Sequence, residues 1–477
     1  VTLTADWVAH WTTAPERTVL VDAADGSTLD GRAVEARTRA AAGRLAAAGV
    51  GAGDRVLLSC APSLDTVVAY VAILRLGAAV VPANTAYTSG ELEHIVRDVR
   101  PSLAVLDDPA RVPDLPLGAH HVDLRSLPAP VDVVLDASDD SDIAMVAYTS
   151  GTTGRAKGAV LEHRNLRSSA ESLVEAWEWT ASDRLVHALP MFHMHGLGAA
   201  LNGTLTAGAS LVVLPRFEPD AVVAAIEDHD ATLFFGVPTM YARLRDSGRL
   251  PGLSGLRLLV SGSAPLDPVL FQAIVAQAGQ APVERYGMTE TVMLTSNPVR
   301  GERRAGSVGV PLPRVKVRLG AAGAVEVGGP TVLRGYWERP GANRESFTRD
   351  GWFRTGDIGE IDDDGYLRLV GRASDLIITG GYNVYPREVE DAILEHPDVV
   401  DVAVVGVPDD TWGETVVAYV VTAAALADLG GTLGAHVEPR LAAYKRPRAW
   451  TAVDELPRNA MGKVRRDVLR GGWRMSS

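Results

Sequence analysis

Between Arg55 and about Gly287, short apolar runs rich in β-branched residues alternate with segments of helix length, at 56–59, 103–106, 143–148, 211–214, 232–235 and 256–260. Strands bounded by turn residues and spaced in this way point to an α/β body with a largely parallel sheet. Loops leaving the strands then line a ligand crevice. With 477 residues the chain exceeds what a single core fills, so a large body with an appended unit is expected. Beyond Arg304 the pattern changes to hairpins at 315–318 and 324–327 around Gly323, which predicts a small β-subdomain over about 305–371 packed on that body. A boundary follows at 371/372. After it, Pro386 opens a helical pattern through Glu395, and 402–405 and 415–422 read as strands, enough for a small α+β unit over 372–477.

Composition narrows the classes of function. The chain is 47% hydrophobic and 22% charged, as ordinary globular proteins are, and its formal net charge of -13 disfavours nonspecific binding to nucleic acid or to an anionic membrane. A local basic pocket can still bind anions in such a protein. Cys60 is the only cysteine, which excludes an intrachain disulfide framework and a cysteine-rich zinc site; its apolar surroundings make it a packed strand residue. The longest apolar stretch, 66–82, is interrupted by Arg75 and Gly77 and reads as a core helix followed by a strand rather than a membrane span. No basic segment followed by an apolar one opens the sequence, so the cytoplasm is the expected location and a monomer or weak homo-oligomer the expected state.

Chemistry concentrates in a few motifs. Ser150-Gly151-Thr152-Thr153-Gly154-Arg155-Ala156-Lys157-Gly158 follows the apolar run 143–148. Its glycines, hydroxyls and lysine suit a loop that folds amides and side chains around phosphate oxygens. It is not the Walker pattern, because Gly158 stands where a metal-binding hydroxyl would follow the lysine, so a different ATP chemistry is indicated. Arg285-Tyr286-Gly287-Met288-Thr289-Glu290 offers a hydroxyl and a carboxylate beside a glycine that permits close approach. Glu290 suits Mg²⁺, a hard cation that needs only one or two carboxylate oxygens when it bridges phosphates. Trp352-Phe353-Arg354-Thr355-Gly356-Asp357 is expected to place an acceptor-only carboxylate at a turn, where it suits two ribose hydroxyls. Pro190-Met191-Phe192-His193-Met194-His195-Gly196 carries two histidines with no third metal ligand, which favours a gate over a metal site.

Taken in order, these motifs resemble the adenylate-forming superfamily of acyl-CoA synthetases, nonribosomal adenylation domains and firefly luciferase. The resemblance also takes in 235–241, 261–265, 335–337, 371–372, 380–390 and 459–463, so it covers nearly the whole chain. It implies a large N-terminal domain and a mobile C-terminal domain that rotates between two half-reactions. By this resemblance the loop from Thr149 through Ser150, Gly151, Thr152 and Thr153 to Lys157 holds the β- and γ-phosphates. Thr289 touches phosphate, Glu290 holds Mg²⁺, and Asp357 binds ribose with help from Arg372. Ser263, Ala264, Pro265 and Tyr286 wall the adenine beside Gly287. Lys463 bridges the attacking carboxylate and the α-phosphate, where cations must offset the repulsion between an acid and a polyanion. His193 flanks the carboxylate and the thiol path, Met288 lines the acyl pocket, and Gly380 and Gly381 line the pantetheine tunnel. One departure is Ser374, which stands at a hinge position where relatives usually carry Asp or Lys.

Arg285 speaks to the acid. A guanidinium at the floor of an acyl pocket is costly to desolvate unless it meets a carboxylate, with which it forms a bidentate pair. A dicarboxylic acid is therefore implied, and the segment 284–290 resembles that of malonyl-CoA synthetases, which take malonate and often methylmalonate. ATP, Mg²⁺ and CoA are the implied cofactors and co-substrate. Alternatives stay open: Arg285 pairs with Glu284 or a phosphate; the thiol acceptor is a carrier protein; the protein is a silent nucleotide-binding regulator, disfavoured because such a protein has no need of Lys463; or it is a luciferase-like oxygenase. A serine hydrolase is disfavoured by the lack of a Gly-x-Ser-x-Gly elbow.

Overall fold

The structure, a computed structural model, describes residues 2–112, 114–149, 156–458 and 463–472. The expected phosphate-loop residues Ser150, Gly151, Thr152 and Thr153 lie outside the described residues, as do 459–462.

Two compact units divide the chain. The first comprises Val1–Val317 with Val327–Phe353, the second Arg318–Glu326 with Arg354–Ser477. The line drawn at 371/372 from the sequence thus falls inside the second unit, which also takes up 318–326 and 354–371 of the expected β-subdomain.

The first unit is built on two large sheets. In the nine-stranded sheet, six neighbours run parallel: Val283–Tyr286, Leu258–Ser261, Leu233–Gly236, Arg184–His187, Ser210–Val213 and Thr18–Asp22. Because they are parallel, their carboxyl ends share one edge, where an α/β sheet presents its ligand crevice. Helices Pro219–Asp228, Pro238–Asp246 and Pro268–Ala278 pack on this sheet through Val222, Ile226, Tyr241, Leu244 and Ile274. Each begins with proline, which brings a preset φ and lacks only an amide that would be unpaired there in any case. The Tyr241 hydroxyl anchors its helix by donating to the Val260 carbonyl at 2.9 Å.

The seven-stranded sheet has a parallel core of Ile143–Thr149, Ala79–Pro82, Arg55–Ser59, Leu103–Leu106 and Ala119–His121, extended antiparallel by Lys157–Glu162 and Gly335–Tyr336. The 66–82 stretch folds as helix Leu64–Arg75 and strand Ala79–Pro82. Every residue of the helix but Asp65 is buried, as so apolar a pattern requires. Its buried charge, Arg75, is 1% exposed and paired with Asp136 at 3.1 Å and Glu35 at 3.3 Å, while Asp65 in the first turn pairs with Arg37. Cys60 is buried and unbridged directly after Arg55–Ser59.

The second unit contains a sheet in which Gly413–Thr422 pairs with Val399–Asp409, Ile377–Thr379 and Ala449–Ala452. Helices Pro386–Leu394 and Leu429–Val437 cover it through Val389, Ile393, Leu433 and Val437. The strand expected at 402–405 spans Val399–Asp409, because ladder pairing continues past the apolar run into Asp401 and Pro408. No described helix is long and apolar enough to cross a membrane.

Candidate active site

Strands Ile143–Thr149 and Lys157–Glu162 pair antiparallel, with Thr149 and Lys157 as register partners, so the phosphate motif connects a hairpin. The Lys157 ammonium lies 5.6 Å from the Tyr336 ring centroid. Tyr336 in turn donates its hydroxyl to Glu290 Oε1 at 3.0 Å. Glu290 is only 6% exposed, and its main-chain carbonyl accepts from the Leu333 amide at 2.8 Å. A buried carboxylate oriented by a tyrosine hydroxyl is the kind of hard oxygen donor that fits Mg²⁺. Thr289, Gly287 and Met288 are half-buried beside it. Tyr336 escaped the residue-level reading: the Gly335–Trp337 motif marked the place, but only folding brings its hydroxyl to a carboxylate 46 positions earlier.

At the carboxyl edge of the parallel sheet stands Arg285, on strand Val283–Tyr286 and 4% exposed. Gly262 follows the neighbouring strand, and a Cβ there would lie 2.5 Å from Arg285 Cζ, so glycine is what lets the guanidinium lie across that backbone. Arg285 Nη2 donates to Ser263 Oγ at 3.3 Å, and that hydroxyl sits 3.4 Å from His195 Nδ1. Ser263 itself holds a left-handed backbone, with φ of 73°, uncommon outside glycine. Among the described residues no carboxylate pairs with Arg285, and its Nε is unpartnered. Glu284 faces elsewhere and accepts from the Gly306 amide at 3.3 Å. Burial alone pushes the Arg285 pKa down to about 9.

Three histidines share this neighbourhood. His195 stacks on Phe235 at 6.2 Å and lies well below its ordinary pKa, through burial first and then the Arg285 cation. His187, ending strand Arg184–His187, is pushed down to about 4 by burial and has neither ring nitrogen partnered. His193, half-buried, is also pushed to about 4 by burial. Among the described residues, neutral rings thus surround one cation. Among the described residues no group of three or more His, Cys, Asp or Glu side chains could hold a metal.

In the second unit Asp357 and Arg372 are register partners, with Arg372 Nε 2.9 Å from Asp357 Oδ1. Asp357 is not at a turn, as the sequence suggested. It lies within strand Phe353–Ile361, and the φ of 77° at Gly356 is what gave the segment a turn-like signature. Gly380 and Gly381, with φ of 56° and 80°, form the two-residue turn of a hairpin between Ile377–Thr379 and Tyr382–Val384, where positive φ at both positions calls for glycine. The exposed Tyr382 ring stacks on Tyr444 at 4.6 Å, and Arg448 covers the Trp412 ring at 3.7 Å. Lys463 has exposed surface, yet its ammonium lies below its ordinary pKa. Desolvation and the Arg372 guanidinium lower it, against Asp375 and Asp357.

Comparison with known proteins fits this geometry. The AMP-binding enzyme model matches residues 7–337 and that of the AMP-binding enzyme C-terminal domain matches 388–463. The chain belongs to the adenylate-forming, AMP-binding enzyme family. It is 36% identical to the mitochondrial malonate–CoA ligase ACSF3 of Mus musculus over 87% of this chain and 81% of that one. A feruloyl-CoA synthase of an Amycolatopsis species is equally identical, 36% over 93% and 94%. Among solved structures, ATP-bound MatB from Rhodopseudomonas palustris superposes with a TM-score of 0.91 at 38% identity, covering 99% of both chains. As an AMP-forming acid–thiol ligase of this family, the protein carries the α/β body and small C-terminal domain expected from its sequence.

Proposed function

We propose that the enzyme converts malonate, and also methylmalonate, with ATP and CoA into the corresponding acyl-CoA, AMP and diphosphate. In the first half-reaction a carboxylate oxygen of the acid attacks the α-phosphorus and diphosphate leaves; in the second the thiol sulfur of CoA displaces AMP from the acyl-adenylate. Overall identity does not select the acid, since malonate and feruloyl enzymes match equally. The single observation that does is Arg285, a buried guanidinium with one side-chain hydroxyl for company and no carboxylate among the described residues. Leaving such a charge unpaired costs several kcal/mol, on the order of what a bidentate carboxylate returns. One carboxylate of malonate meets Arg285 and the other reacts.

Glu290 would hold Mg²⁺, whose chemistry is to bridge phosphate oxygens and neutralise charge as diphosphate departs. Thr149 to Lys157 and Thr289 hold phosphates, Ser263, Ala264, Pro265 and Tyr286 wall the adenine, and Asp357, oriented by Arg372, takes the ribose. Lys463 bridges the attacking carboxylate and the α-phosphate, while His193, Met288, Gly380 and Gly381 line the paths of acid and thiol. The exposed rings of Tyr382 and Trp412, with half-buried Tyr444, beside Lys445 and Arg448 suit a stacked base with phosphates nearby, which favours CoA over a carrier protein as acceptor.

AMP release with MgATP and CoA tests the reading on acetate, malonate, methylmalonate and succinate. Malonate and methylmalonate are expected to lead, with acetate at least about 10²-fold lower in kcat/KM because it leaves Arg285 unpaired. Acetate or ferulate as the best acid would overturn it, and turnover with a carrier protein but not CoA would move the acceptor.

A further inference from the structure

Lys463 owes its location to the residues that hold its segment. Around it, Arg458 and Val464 form an antiparallel bridge, and the Arg465 amide donates to the Pro457 carbonyl at 2.7 Å, tying the residues that follow Lys463 to 457 and 458. After it, Arg466 opens the helix Arg466–Gly472 and turns its side chain into the second unit. Its Nη2 donates to Glu390 Oε1 at 2.5 Å, its Nε donates to the Val404 carbonyl at 3.3 Å, and its Nη1 lies 3.8 Å from Asp375 Oδ2.

Glu390, on helix Pro386–Leu394, is 5% exposed, and the same Oε1 accepts the Val404 amide at 2.8 Å. One buried carboxylate and one guanidinium therefore grip both sides of residue 404 in strand Val399–Asp409. Asp375 sits one residue past Ser374, in the turn Ala373–Asp375. Helix, central strand, turn and lysine segment meet at this one guanidinium, and a charge-assisted fork of this kind fixes direction as well as distance. The neighbouring Arg465 is different: it pairs only with Asp467, two residues on, and both side chains are more than half exposed. Lys463 feels Arg466 as well as Arg372, Asp375 and Asp357, so the clamp is within electrostatic reach of the ammonium it would place.

We propose that Arg466 is the positioning residue of the adenylation step, a clamp on Glu390 and Asp375 that sets where Lys463 reaches. The proposal rests on the reading of Lys463 as the adenylation lysine. Arg466 touches no substrate; it acts through the lysine three residues earlier. Its loss is therefore felt where Lys463 works and not in thioester formation, although Gly380 and Gly381, assigned to that second step, belong to the same unit.

The test measures acid-dependent ATP–diphosphate exchange and, separately, conversion of supplied acyl-adenylate with CoA. Arg466→Gln is expected to lower the exchange kcat by up to about 10²-fold, the scale of a misplacement of roughly 1 Å, with KM for ATP and acid within about twofold. The thioester step should stay within about threefold, Arg466→Lys should recover part of the exchange, and Arg465→Ala should match the parent in both steps. Glu390→Gln keeps an acceptor for the Val404 amide but weakens the guanidinium's partner; it should lose exchange in the same direction, and it carries the test if Arg466→Gln does not fold. Parallel loss of both half-reactions marks a merely structural residue and overturns the proposal, as does undiminished exchange. Lys463→Ala, run alongside, separates the two ideas. Full exchange there overturns the role of Lys463 and the clamp with it, whereas loss there with full exchange in Arg466→Gln overturns the clamp alone.

Discussion

Arg285 in the first unit and Lys463 in the second are both cations assigned to the acid, and the protein holds them in opposite ways. Arg285 is buried at the end of a parallel strand among neutral histidines, with a serine hydroxyl as its one hydrogen-bond partner among the described residues. Lys463 keeps exposed surface within a lattice of paired charges, Arg372 with Asp357 and Arg466 with Glu390 and Asp375. A lone buried cation is a receptor: its desolvation has been met in folding and is offset only when an anion of matching shape arrives. A cation among compensating charges is an actuator, poised by its neighbours at little cost until the reacting oxygens come within reach. In the proposed reading, specificity belongs to the sheet edge and catalysis to the small unit.

The largest expected effect falls on the actuator. Lys463→Ala should lower acid-dependent diphosphate exchange by about 10³-fold, the scale of removing a charge that stabilises a transition state, while supplied acyl-adenylate still reacts with CoA at close to the parent rate. Equal loss of both steps would erase the division of labour. In the parent, exchange should decline with rising pH at a value below the ordinary lysine pKa of 10.5, because Lys463 must be protonated and its pKa is lowered; a limb at or above that value would contradict the charge lattice.

Next comes Glu290, the proposed metal carboxylate. Tyr336→Phe removes the hydroxyl that orients Glu290 and should raise the Mg²⁺ concentration needed for half-maximal exchange by about tenfold, with Glu290→Gln costing more, toward about 10². An unchanged Mg²⁺ requirement in both would free Glu290 of its role. The smallest effect concerns stability. His187 stays neutral in the folded protein down to about pH 4, whereas in the unfolded chain it takes up a proton near its ordinary 6.5. Stability should therefore fall as pH drops through that window, by up to roughly 3 kcal/mol from this residue. In urea unfolding across pH, His187→Phe should show a shallower fall, and an unchanged slope would mean that the receptor pocket does not hold its histidine neutral.

The two regions also differ in how far the sequence reveals them. At the sheet edge, Arg285 lies in a short strand, and Glu290 and His193 lie within a few residues of strand ends, so local patterning places them near that edge. Ser263 was legible as a loop residue, but its link between Arg285 and His195 depends on a left-handed backbone and on a close approach at Gly262. In the second unit the chemistry is held by pairs distant in sequence, such as Glu390 with Arg466, which no local spacing exposes. Asp357 shows the limit of local signals, because a glycine with positive φ inside a strand looks like a turn when read alone. Hairpins resemble a subdomain in any window, and which neighbour they join is set by packing.

The claim that Arg285 receives the second carboxylate is tested most directly by kcat/KM for malonate and for acetate in the parent and in Arg285→Ala. Loss of one partner from a buried charge pair costs about 3–5 kcal/mol, so malonate should fall by roughly 10²- to 10³-fold. Acetate, which never met the guanidinium, should hold or improve. Malonate turnover that survives the substitution, or a fall of the same size for both acids, would contradict the account.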